Sequence, residues 1–163
     1  LKRQIGLLDL TSEESQGMNN PALKVYVFYC SNNVEATRLS DLYRGQGNDS
    51  IKTISLPCSG KVDIPYLIKA FETGADGVAI VTCSKNECSN FEGNLRAHKR
   101  AQAVEALLDE IGVAAGRMSV FECGTQNADS VLSEIKQFIE RLRSLPPTYA
   151  RRGETSTQES TRA

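Results

Sequence analysis

The sequence contains no tryptophan and a single histidine, and only 6% of its 163 residues are aromatic. So few rings give nucleic-acid bases little to stack on, which argues against a single-strand binding platform. Charge of one sign is also scarce in net terms. Nineteen basic residues against twenty acidic ones leave a net charge of −1 and a pI of about 5.9. No global basic excess exists to recruit a polyanion or an anionic membrane. No apolar run approaches the roughly 20 residues that a membrane-spanning helix needs. The opening stretch LKRQIGLLDLTSEESQG has two basic residues and a short apolar patch, then turns acidic without a small-residue cleavage site. A signal peptide is not expected there, and the expected location is the cytoplasm.

Several common site motifs are missing too. No GxGxxG follows an apolar run, and Ser55 stands where a phosphate-binding loop ending in Gly60-Lys61 would need its first glycine. Cys30 has Ala36, not arginine, six positions on, which excludes a cysteine-phosphatase loop. The lone His98 excludes a Rieske-type pair of histidine ligands. A compact CxxC, the usual mark of thiol–disulfide chemistry, does not occur.

What the chain does have is five cysteines arranged by one rule. Cys30 ends VYVFYC, Cys58 ends IKTISLPC, Cys83 follows VAIVT and is trailed by Cys88, and Cys123 ends MSVFEC. In a cytoplasmic protein such a set favours metal or redox chemistry over a disulfide framework.

The apolar runs 23–29, 51–56, 78–82 and 118–122 read as buried strands. Between and after them lie four helical patterns. The first covers 34–43, after the capping residues Ser31, Asn32 and Asn33. The second is capped by Asp63, tolerates Pro65 in its first turn and ends near Gly74. The third begins near Asn90 and carries the stripe Val104, Leu107, Leu108 and Ile111, with Gly112 as its C-terminal cap. The fourth is capped by Asp129 and repeats Val131, Leu132, Ile135, Phe138, Ile139 and Leu142 until Pro146-Pro147.

The order β-α-β-α-β-α-β-α predicts a small flavodoxin-like, three-layer α/β fold with a four-stranded parallel sheet. Residues 1–22 read as an N-terminal arm, 23–146 as the domain and 147–163 as a polar, flexible tail.

A parallel sheet binds ligands at the carboxyl ends of its strands, where these cysteines fall. Soft thiolates there suit an iron–sulfur cluster or zinc, and helix N-termini at the same edge would stabilise the charge. Thiol–disulfide exchange is a further option. So is the plain one: a cysteine that merely fills space in a core, as cysteines often do. Arg96, Lys99 and Arg100 form a basic patch that reads either as a solvated helix face or as a docking surface.

Two stretches carry a family resemblance. LPCSGKVDIPYLIKAFETGADGVAIVTCSKNEC and the following FEGNLRAHKRAQAVEALLDEIGV resemble the small iron–sulfur (delta) subunit of methyl-viologen-reducing hydrogenases and of heterodisulfide reductase-associated complexes. The likeness runs over about residues 25–145.

It implies a non-catalytic electron-transfer subunit of an anaerobic oxidoreductase complex. That subunit would carry a 2Fe-2S cluster and relay electrons between a hydrogenase or other dehydrogenase module and a heterodisulfide-reductase-like flavoprotein subunit. By the match, Cys30, Cys58, Cys83 and Cys88 fall on family cysteines and are the implied ligands of metal and cofactor. Two departures accompany it. Asn33 stands where the family has the second cysteine of an opening CxxC, and Cys123 stands where a small residue is expected. Two ligand sets follow: either Cys30, Cys58, Cys83 and Cys88 suffice, or Cys123 replaces the lost thiol. The alternative is a clusterless, or zinc-stabilised, interaction module in the same type of complex.

Overall fold

The computed structural model describes residues 22–34, 39–40, 47–124 and 128–148. Among them are four strands, β1 (Lys24–Cys30), β2 (Ser50–Leu56), β3 (Gly77–Cys83) and β4 (Met118–Cys123). Three α-helices, α1 (Ile64–Glu72), α2 (Gly93–Glu110) and α3 (Ala128–Arg143), and a short 3-10 helix at Ser59–Lys61 complete the set. Almost all of the expected arm and tail, and most of the helix expected over 34–43, lie outside the described residues.

All strand pairs are parallel, in the order β2-β1-β3-β4. The chain steps one way from β1 to β2, then crosses back to β3 and continues to β4. Right-handed crossovers therefore put the connection before β2 on one face and the two after it on the other. On that second face α1 and α2 bury Leu67, Phe71, Val104 and Leu108 against Phe28, Val78 and Ile80. On the first, α3 packs Val131, Ile135, Phe138, Ile139 and Leu142 onto Val25, Val27, Ala79 and Val81, joined by Val34 and Leu39. β3 is buried at every residue, as a central strand covered on both faces must be. This is the expected three-layer, flavodoxin-like arrangement.

Local signals place the helix ends with few exceptions. Asp63 caps α1, its carboxylate accepting from the Ile64 amide at 3.0 Å. Gly112 follows α2 at φ 74°, a left-handed conformation that glycine adopts without Cβ strain. Asp129 differs: it sits inside the first turn of α3, where its charge still favours the helix dipole. The α2 stripe also shifts. Ala97, Ala101, Val104 and Leu108 are buried, whereas Leu107 and Ile111 are 43% and 65% exposed. The two alanines let the helix lie close to the sheet, and that rotates the contact line away from Leu107.

Candidate functional site at the carboxyl edge

The sheet order reverses between β1 and β3, so their carboxyl ends form the switch point at which a ligand site is expected. Cys30 and Cys83 are the last residues of those two strands. The Cys83 thiol donates to Cys30 Sγ at 3.4 Å, and both side chains are buried. Cys58 follows β2 and caps the 3-10 helix, its Sγ accepting from the Gly60 amide at 3.4 Å. Cys88 lies on the loop after β3 and donates to the Asn90 carbonyl at 3.7 Å.

Cys58 and Cys88 meet over a glycine. A Cβ on Gly93 would stand 2.5 Å from Cys58 Sγ and 3.3 Å from Cys88 Sγ. A Cβ on Gly60 would lie 2.7 Å from Gly93 Cα, so the two backbones are in direct contact. Arg100 locks this junction by donating to the carbonyls of Gly60 at 2.6 Å and Val62 at 2.7 Å. Gly60→Ala is therefore expected to cost about 1–3 kcal/mol of stability through overpacking, because the added methyl would run into the Gly93 backbone. Urea denaturation would measure this, and a change within about 0.5 kcal/mol would contradict the close approach.

The thiols differ electrostatically. Burial, then the hydrogen bond to Cys30 and the charges of Cys30, Cys88 and Cys58, push the Cys83 thiol up to about 12. It stays protonated at neutral pH. For Cys88 burial acts upward, but the backbone of Asn90, Asn94 and Gly93 and the Cys83 side chain outweigh it, and the thiol is held below its ordinary value. Iodoacetamide at neutral pH should therefore label Cys88 well before Cys83 in the folded chain, which peptide mapping after brief exposure would check. The raised Cys83 value also has a stability consequence. The unfolded chain loses this proton near the ordinary thiol value, whereas the native chain keeps it to about 12. Stability from this group is complete below the ordinary value and falls as pH rises toward the folded one.

Cys123 takes another place. It is the register partner of Cys83 on β4, yet it packs in the core beneath α3, and its thiol donates to the Gly124 carbonyl at 3.8 Å. Asn33, the other departure from the family pattern, donates its side-chain amide to the Cys123 carbonyl. The two departures thus touch, through a backbone contact that ties the turn after β1 to the end of β4.

The expected cofactor is corrected here. Among the described residues, no group of three or more His, Cys, Asp or Glu side chains is arranged to hold a metal ion. The 2Fe-2S cluster, and with it the cluster-carrying electron relay and the iron–sulfur and metal-binding character, is overturned on that ground, and among the described residues zinc has no ligand group either. The physical reason lies in how the thiols associate. Cys30 and Cys83 associate as a buried, hydrogen-bonded pair, Cys58 and Cys88 lie over Gly93, and Cys123 packs in the core beneath α3. None of the five cysteines is in a disulfide.

The basic patch divides. Arg96 and Arg100, four residues apart on one face of α2, line a cleft of about 350 Å³ together with Lys61 and Asp63, while Lys99 is not part of its wall. Lys61 was not singled out from the sequence. The only signal for it was the basic residue directly after the Cys58-Ser59-Gly60 turn. No helix among the described residues is long and apolar enough to cross a membrane.

Residues 25–146 match the family described as methyl-viologen-reducing hydrogenase, delta subunit. The chain is 36% identical over 112 residues to the vhu iron-sulfur subunit of the F420-non-reducing hydrogenase of Methanocaldococcus jannaschii, covering 69% of this chain and 84% of that protein. It is 32% identical over 130 residues to the corresponding vhu iron-sulfur subunit from Methanococcus maripaludis, covering 80% and 96%. A third likeness, 26% over 98 residues, covers 60% of this chain and 12% of a subunit of the ferredoxin:CoB-CoM heterodisulfide reductase of Methanosarcina mazei.

Proposed function

This chain belongs to the methyl-viologen-reducing hydrogenase delta-subunit family, and from that premise we propose that it is a clusterless interaction module, a non-catalytic accessory subunit of a hydrogenase- or heterodisulfide-reductase-type complex. The observation that carries this reading is the family match across residues 25–146, which takes in nearly the whole sheet and its helices. Two further facts support it. The hydrogenase relatives are subunits by name. The heterodisulfide reductase protein of Methanosarcina mazei contains a segment similar to this chain within a much larger polypeptide. A unit found both on its own and as part of a larger chain fits a docking role. The module is the 23–146 unit, its partners are hydrogenase or other dehydrogenase subunits and a heterodisulfide-reductase-like flavoprotein subunit, and it works in the cytoplasm. Thiols outside disulfides suit that reducing compartment.

The test is purification of the tagged chain from its native host without oxygen, followed by subunit identification and iron and sulfide analysis of the chain after release. Stoichiometric recovery of subunits of a hydrogenase or heterodisulfide reductase, with an iron-free released chain, is the expected result. Recovery of no such subunit would overturn the accessory role, and stoichiometric iron on the released chain would overturn its clusterless character.

A further inference from the structure

The cleft beside Gly93 has features that the thiol chemistry does not use. Its wall brings together Lys61 and Asp63 from the turn after β2, Asn90 from the loop after β3, and Arg96 and Arg100 from α2. Three cations therefore face one carboxylate, in a chain whose overall charge is −1. Arg100 is committed to the Gly60 and Val62 carbonyls and lies 3.7 Å from Asp63. Lys61 and Arg96 are exposed, and among the described residues neither has an ion-pair partner. Two cations lining one concave surface attract and orient an anionic group.

Apolar surface adjoins this charge. Phe91 is 89% exposed and stands between the cleft residues Asn90 and Gly93. Leu95, next to Arg96, is 40% exposed. An uncovered aromatic ring beside arginine is the composition of a protein–protein hot spot, with the charges forming a polar rim. Asp63 within the cleft disfavours a doubly charged phosphate, and the chain's net negative charge disfavours nucleic acid. A singly charged carboxylate with apolar neighbours fits both halves.

We propose that this cleft, with Phe91 and Leu95, is the docking surface for an acidic segment of a partner subunit. One Asp or Glu side chain of that segment enters between Lys61 and Arg96, and an apolar side chain beside it covers Phe91. The inference rests on the accessory-subunit reading and identifies which face meets the partner.

The test uses the tagged full chain in its complex, as wild type, K61E/R96E, K61R/R96K, F91S and, on the opposite face of the sheet, K136E. Thermal unfolding of each isolated chain serves as the control for folding. Subunits of the hydrogenase or heterodisulfide reductase recovered per tagged chain should fall at least about tenfold for K61E/R96E and several-fold for F91S. They should stay within about twofold of wild type for K61R/R96K and K136E. Carbodiimide treatment of the wild-type complex should join the Lys61 amine to an Asp or Glu of the partner. Undiminished recovery with K61E/R96E, or a Lys61 that links to no partner carboxylate, overturns this surface while leaving the accessory role intact. A wild-type chain that recovers none of these subunits overturns both.

Discussion

Phe138→Ala is expected to lower the free energy of unfolding by about 3–5 kcal/mol, among the largest losses that one truncation can cause in this core. Phe138 is completely buried on the inner face of α3. Its ring packs edge-on against Phe121 of β4, with centroids 6.0 Å apart and planes at 68°. It also reaches the start of β3: a Cβ on Gly77 would come within 3.1 Å of Phe138 Cζ. The ring therefore bridges two strands and the helix that covers them. Removing it forfeits its transfer free energy and leaves a void between the rigid sheet and α3, which a helix tied in at Ile135, Ile139 and Leu142 cannot close. The edge-on aromatic pair is lost as well, a contribution of about 0.5–1.5 kcal/mol. Denaturant titration should show a lower midpoint with an unchanged slope. Phe138→Leu keeps most of the volume and should cost less than half as much. A loss below about 1 kcal/mol for the alanine variant would mean that α3 does not seal this face.

Arg117→Ala should be nearly as damaging, at about 3–5 kcal/mol, for a polar reason. Arg117 directly precedes β4 and is 2% exposed. Its guanidinium donates to the Asp76 carbonyl at 2.8 Å and to the Pro146 carbonyl, joining the residue before β3 to the segment after α3. Burial pushes its pKa down and the nearby Asp76 charge pulls it back up, with a net lowering. Asp76 is itself buried and accepts from the Lys24 amide at 2.8 Å. Deleting the cation removes a positive charge from beside a buried carboxylate and takes away the guanidinium's bonds to two carbonyls. Arg117→Lys keeps the charge but not the fork that spans both carbonyls, so it should recover only part of the loss. Thermal or urea unfolding of the three proteins would rank them. Equal stability of the lysine variant and wild type would show that charge alone, not the two-pronged geometry, holds this end of the sheet.

Each of the four apolar runs is a strand, and the observed ends differ from the expected ones by at most one residue. At β1, β3 and β4 the difference takes in the cysteine itself, because a strand end is set by its neighbour's hydrogen bonds and not by where apolarity stops. The buried positions of α3 match its periodic pattern well, since Val131, Ile135, Phe138, Ile139 and Leu142 face an apolar sheet surface. The α2 pattern misleads at Leu107 and Ile111. Ala97 and Ala101, unremarkable in hydropathy, are what allow close approach there.

The site was legible only as a set of residues. Five cysteines at strand ends were visible, and so were Asn33 and Cys123 as paired departures from the family pattern. Their pairing was not. Cys30 meets Cys83, 53 positions away, because β1 and β3 are neighbours in the sheet. Cys58 meets Cys88 because the Gly60 and Gly93 backbones touch. Cys123 shares a register position with Cys83 but belongs to the core beneath α3. The expectation of a cluster failed at this step. Thiols on one edge need not be arranged to grip a metal, and here two of them are taken up in a buried pair.

By itself, the sequence determined the alternating element order, the parallel sheet with helices on both faces, and the family. These follow from local periodicity, capping residues and runs long enough to recognise. Only the tertiary structure decided which thiols pair, that Lys61 and Arg96 share one cleft with Phe91 beside it, and that no described group of side chains holds a metal. Those outcomes depend on strand order and on the contact of two glycine backbones, which join residues tens of positions apart. Local propensity carries no record of them.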